Sequence, residues 1–205
     1  MDILKKPIYK KWWVWVIAVI IVFGIAGSAS SNKDKGKDAV SEKQESTAST
    51  DKKDDKKKED SKVNYDNFMK IAMGSTYTDV VNLLGEGTES TSSEVGGIKT
   101  VMYTWKGSGV SNMNITIQND AVTGKTQLGL SKPTGDITLE KYNKIENGMS
   151  LQQVEAILGN GALTSQSKIM DMESSIYSWA NKDGSNCNVT LQGDSVQMKA
   201  QLSLK

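Results

Sequence analysis

Two segments of this 205-residue chain carry the same four polar side chains at alternate positions. Asn112, Asn114, Thr116 and Gln118 recur 74 residues later as Asn186, Asn188, Thr190 and Gln192. Interleaved with them are Met113, Ile115 and Ile117, matched by Cys187, Val189 and Leu191. Strict alternation predicts strands with one apolar face against a core and one polar face turned away. Counting by the same alternation on the last strand of each copy places Lys125 and Gln127, and their matches Lys199 and Gln201, on the polar face. Amides and hydroxyls hydrogen-bond; they do not act as acids, bases or nucleophiles at neutral pH. The chemistry on offer is recognition of a peptide or glycan, with Asn114, Gln118, Lys125, Asn188, Gln192 and Lys199 as candidate contacts. A second reading, which we prefer, is a cross-strand ladder that pins register. Tyr103 and Trp105 share one strand face, as do Tyr177 and Trp179. They are core if that face meets the helices and a binding platform if it does not.

Other chemistries find little support. There is no His, so the commonest general base and metal ligand is missing. All 25 basic residues are Lys, which removes the bidentate reader of guanine and phosphate. The single Cys187 excludes an internal disulfide and reads as a small buried apolar side chain. No glycine run fits a phosphate loop. The carboxylates are scattered, and Asp120 and Asp194 mark hairpin turns. We therefore expect no enzyme, no cofactor, no metal and no nucleic-acid partner.

The elements that position these residues are also duplicated. At an offset of 74, the span from Tyr65/Leu139 to Ser131/Lys205 aligns without a gap, with 21 of 67 positions identical. A period of that length is a domain-sized unit. Each copy predicts two short helices followed by an antiparallel meander, an α+β plan. Ser150 and Gln153 read as a capping box opening a helix whose apolar face is Leu151, Val154, Ile157 and Leu158, with Gly159 as a left-handed stop. Thr76 and Asp79 are the weaker pair in the first copy. Predicted helices cover Asn64 to Met73 and Thr76 to Leu84, and predicted strands cover Thr100–Trp105, Asn112–Asn119 and Val122–Leu130. A weak strand is expected near Val95–Ile98. The second copy repeats the order, with Thr138 capping a helix that Gly148 stops and strands near 175–180, 186–192 and 195–204. The repeats are assigned to 63–131 and 138–205, each with its own sheet.

The first 62 residues are of other kinds. Residues 1–11 hold Lys5, Lys6, Lys10 and Lys11. Residues 12–29 carry no charge and, at 1.5 Å per residue, reach about 27 Å, enough for the hydrocarbon core. Trp12, Trp13 and Trp15 suit a headgroup interface, and the preceding lysines put the N-terminus in the cytoplasm. We expect a single-pass transmembrane helix at 12–29 with residues 63–205 outside the cell; the alternative is secretion after signal cleavage near Ala29. Residues 30–62 hold 10 Lys and 9 Asp or Glu with no aromatic, which predicts a disordered, charge-balanced tether.

The stretch Gly148-Met149-Ser150-Leu151-Gln152-Gln153-Val154, then Leu158-Gly159, resembles the signature of SmpA/OmlA-type outer-membrane assembly lipoproteins. The tandem helix–helix–sheet arrangement with its Tyr-x-Trp strand resembles the β-lactamase inhibitor proteins more closely, over residues 63–205. Similar tandem domains occur on Gram-positive surfaces. The second resemblance implies two helix-loop-helix plus sheet units and a protein grip by an aromatic-rich concave sheet face. The function expected is a membrane-anchored extracytoplasmic binding protein with a protein or cell-wall partner. The alternative is an envelope-assembly scaffold with no dedicated ligand site.

Overall fold

The computed structural model describes residues 62–132 and 135–205. The expected anchor at 12–29 and all but the last residue of the expected tether lie outside them. The described residues belong to one compact unit, Asp54–Lys205. In it each repeat runs helix, helix, four strands: α1 Tyr65–Lys70, α2 Tyr77–Leu84, β1 Thr88–Val95, β2 Ile98–Lys106, β3 Asn112–Gln118 and β4 Ala121–Leu128, then α3 Leu139–Asn143, α4 Leu151–Leu158, β5 Ala162–Ile169, β6 Met172–Ala180, β7 Asn186–Gln192 and β8 Ser195–Leu202.

The helices form where their caps are. Thr76 accepts from the Asp79 N–H while the Asp79 carboxylate accepts from the Thr76 N–H, and Ser150 and Gln153 do the same. Asn64 and Thr138 cap the two shorter helices. Asp120 and Asp194, at the β3–β4 and β7–β8 turns, accept from the first backbone N–H of α2 and α4 at 3.2 and 3.0 Å. Thus each hairpin tip also holds a helix N-terminus, where a carboxylate is favourable. Gly159 ends α4 with φ 82° and ψ −177°. That is a region essentially restricted to glycine, rather than the left-handed helical stop expected. Helices α1 and α3 are shorter than expected because the chain leaves them to pair with the sheet: Gly74 donates to the Val122 carbonyl and Gly148 to that of Val196, both at 2.8 Å.

The strands follow one another in a single eight-stranded antiparallel sheet, β1 to β8 in sequence order. The two separate sheets expected from the duplication are therefore one. Gly124, Lys125 and Thr126 of β4 pair with Ser167, Gln166 and Ser165 of β5 and fuse the halves. Strands β1 and β5 occupy polar stretches that alternation did not reveal, and the weak strand expected near Val95–Ile98 is the turn through Gly96 and Gly97 between β1 and β2.

All four helices pack on one face of the sheet. Phe68, Ile71, Val80 and Leu84 meet Trp105, Met113, Ile115, Ile117 and Val122 in the first core. Ile137, Ile145, Val154 and Leu158 meet Trp179, Cys187, Val189, Leu191 and Val196 in the second. Leu163, from the second repeat's β5, is buried in the first repeat's core, and Tyr177 packs against both. Burial pushes the Cys187 thiol up to about 11, which keeps it protonated and inert.

Candidate binding face

The sheet has one face under the helices and one that no described element covers, so each candidate side chain is decided by parity. Trp105 and Trp179 point under the helices and are 4% and 0% exposed. Their indole N–H groups donate to the carbonyls of Gly85 and Gly159 at 2.8 and 2.7 Å, tying each half of the sheet to the end of a helix. Gly87 and Gly161 lie against these rings so closely that a Cβ would stand 2.6 and 2.5 Å from them. Tyr103 stacks on Tyr77 with ring centroids 4.2 Å apart, and Tyr177 bridges the two cores. The four aromatics are packing residues on the covered face and form no platform on the open one.

Lys125 and Lys199 require a correction. Each lies under the helices. Lys125 Nζ donates to the carbonyls of Phe68 and Ile71 at 3.1 and 2.7 Å, and lies 4.9 Å from the Phe68 ring centroid. Lys199 repeats this on Tyr142 and Ile145 at 3.0 and 2.7 Å, 4.4 Å from the Tyr142 ring. Each lysine adds a donor to carbonyls at the C-terminal end of a short helix, where the Phe68 and Tyr142 carbonyls already accept from Ile71 and Ile145 N–H. Alternation failed here because β4 and β8 carry a bulge. Thr116 pairs with Gly124 but Ile117 with Val122, and Thr190 with Met198 but Leu191 with Val196. One extra residue shifts the parity, so Val122 and Lys125 face the same way. Gln127 and Gln201 turn inward with the lysines, and their side-chain carbonyls accept from Leu130 and Leu204 N–H at 3.1 and 3.0 Å. Burial pushes Lys125 down to about 8, with Glu173 opposing the shift.

Asn114, Gln118, Asn188 and Gln192 do lie on the open face. Antiparallel partners run across it in an unbroken rank: Thr88, Thr104, Asn114, Thr126, Ser165, Ile176, Thr190, Met198. Thr116, Gly124, Ser167, Ser174 and Gln192 lie in the adjoining rank. The ranks are made of hydroxyls, amides and the aliphatic Ile176 and Met198, without a ring. Its two halves differ. In the first, Thr104 donates to Asn114 at 2.6 Å, Asn114 to Asn112 at 3.4 Å, and Gln118 to Thr100 at 3.1 Å. In the second, Ser178 stands where Thr104 does, and the half-buried Asn188 side chain has no hydrogen-bond partner among the described residues. Gln192 reaches only the Met172 sulfur, at 3.3 Å. Identity of type between the repeats therefore conceals a difference in what is satisfied. No cluster of His, Cys, Asp or Glu among the described residues could hold a metal ion, and no helix among them is long and apolar enough to cross a membrane.

Comparison with known proteins agrees with this geometry. The fold is similar to that of a Streptococcus mutans protein solved as a candidate beta-lactamase inhibitor protein, with a TM-score of 0.55 and 19% identity over 70% of this chain and 91% of that one. No curated protein matches the sequence. The profile of the family Beta-lactamase inhibitor (BLIP) matches residues 64–177, which is more than half of the chain and crosses the β4–β5 junction. The chain belongs to the beta-lactamase inhibitor (BLIP) family.

Proposed function

We propose that this is a membrane-tethered, extracytoplasmic, non-catalytic protein-binding module, and that it binds through the open face of its sheet. The observation that carries this reading is the second half of that face, which no described element covers and where the Asn188 amide meets no hydrogen-bond partner among the described residues. Eight strands at about 4.8 Å and seven residues at about 3.4 Å give a face of roughly 900 Å². That is close to the roughly 800 Å² each partner contributes to a standard protein–protein interface. With no aromatic exposed there for a sugar ring to stack on, the face suits a protein better than a cell-wall polymer. The tether follows from the uncharged run 12–29 behind Lys5, Lys6, Lys10 and Lys11.

The scaffold reading draws on the other half. The Thr104–Asn114–Asn112 chain is a register ladder, and the buried tryptophans serve the fold alone. The experiment is photocrosslinking in intact cells, with a crosslinking residue at Thr190 on the open face or at Glu140 on α3. A discrete protein adduct from Thr190 and none from Glu140 is expected. Equal labelling from both positions, or none from Thr190, would remove the open face as the site.

A further inference from the structure

The duplication supplies a template for a second site. Strand β4 is followed in the sheet by β5, whereas its copy β8 is the last strand, and no strand among the described residues pairs with its outer edge. At the occupied edge, Gln127 Nε2 donates to the Leu163 carbonyl of β5 at 3.2 Å, and the Leu163 side chain, 2% exposed, fills the core beneath. At the free edge, Gln201 keeps the same bond to Leu204 through its carbonyl oxygen, but its Nε2 has no partner among the described residues. Beside it Leu139, the copy of Tyr65, is 37% exposed, and Tyr65 is the residue whose hydroxyl accepts from the Leu163 N–H at 2.7 Å. Met198 and Leu202 are exposed along the same edge.

We propose that the outer edge of β8 is a strand-accepting site for an extended peptide segment of a partner protein. The segment adds antiparallel in the β4–β5 register, placing small polar residues opposite Met198 and Ala200 as Ser167 and Ser165 stand opposite Gly124 and Thr126. It presents an aliphatic residue where Leu163 stands, with that residue's carbonyl accepting from Gln201 and its side chain lying on Leu139. Main-chain bonds supply affinity and the alternate side chains supply selectivity.

The obvious occupant, β1 of a second copy, is excluded by its own sequence. Strand β1 is the copy of β5, and Glu89 stands where Leu163 does. Pairing would put that carboxylate onto an apolar patch, a device that blunts free edges against self-association. The site is therefore open at β8 and closed at β1, and it differs from the open face in lying at the sheet's edge.

The test uses the full chain in mild detergent and synthetic peptides, read by amide exchange. The probe is a nonapeptide with the sequence of residues 161–169. It should slow exchange over residues 196–202. The same peptide with Glu at the Leu163 position, and the peptide of residues 87–95, should bind at least about tenfold more weakly, since burying an unpaired carboxylate costs more than 1.4 kcal/mol. Gln201→Glu keeps an acceptor for Leu204 but loses the donor; it should leave the melting point unchanged and weaken peptide binding about fivefold. Protection confined to β4, which would mean exchange with the chain's own β5, would overturn the proposal. So would equal binding of the Glu-bearing peptide, or protection of β8 by the 87–95 peptide.

Discussion

The two repeats have the same fold, yet equivalent residues live in different surroundings. Lys125 and Lys199 donate to the same pair of carbonyls one repeat apart, but Lys125 is covered by β5 and Lys199 lies next to the free edge. Gln127 is buried and uses both ends of its amide, whereas Gln201 is exposed and uses one. Asn114 is held in a chain of side-chain bonds and Asn188 is not. A duplicated sequence thus keeps the groups that make the fold in both copies. What differs is the neighbour, and the neighbour decides whether a retained polar group is structural or available.

The largest expected effect concerns what the copies share. Trp105→Ala and Trp179→Ala should each destabilise by about 3–5 kcal/mol, the usual cost of removing a buried aromatic. Each also leaves a glycine carbonyl without its donor. Gly161→Ala should cost about 1–3 kcal/mol by forcing a methyl into the Trp179 ring. Thermal or urea melts of the full chain would measure both, and near-equal losses in the two repeats would confirm that the tryptophan device is common.

Next is a pH dependence that should be confined to one repeat. Burial holds Lys125 at about 8 in the folded chain, below the ordinary lysine value of 10.5. Between those values the unfolded chain binds more protons, so stability rises with pH. Above about pH 10, tyrosines raised by burial, such as Tyr65 and Tyr177, bend the curve down again. Cys187, raised to about 11 by burial, and these tyrosines lower stability over the same range in parent and variants alike, so from pH 8 to 10 the parent should gain about 1–2 kcal/mol relative to Lys125→Met. Lys199→Met should keep the same difference from Lys125→Met. Parallel pH curves for the parent and Lys125→Met would show that Lys125 is not the responsible group.

A smaller effect is expected at the helix caps. Ser150→Ala and Thr76→Ala should each cost about 1 kcal/mol in a urea titration. Unequal losses would show that Gln153 and Asp79 do not serve their caps alike.

Much of this was legible in the sequence because local rules govern it. The ungapped offset, the Ser150–Gln153 box, the Asn119-Asp120 turn and the apolar rows of β3 and β7 depend on neighbours in the chain. The resemblance to the inhibitor proteins followed from the same residues. What was not legible depends on partners distant in sequence. Thr88–Val95 shows no alternation because, as an edge strand, it is exposed on both faces. Ala162–Ile169 is polar beyond Leu163, where it joins the halves of the sheet. Alternation alone places Lys125, Gln127, Lys199 and Gln201 on the open face because a bulge leaves no mark in the spacing of their side chains. Once the bulge is known, a lysine followed two positions later by a glutamine in both copies is the signal of an inward pair, the lysine holding the end of a helix and the glutamine the chain that leaves the strand.

The most direct test compares the two halves of the open face. Asn114→Ala and Asn188→Ala, each in the full chain, would be followed by melting temperature and by yield of the Thr190 crosslinked adduct. Asn114→Ala should lower stability by about 1 kcal/mol, the net worth of a side-chain hydrogen bond, and spare most of the adduct. Asn188→Ala should melt within about 0.5 kcal/mol of the parent, as an unpartnered surface group would, and lose most of the adduct. If instead Asn188→Ala destabilised the chain and left the adduct intact, the second half of the face would be a register ladder like the first, and the open sheet would not be where this protein binds.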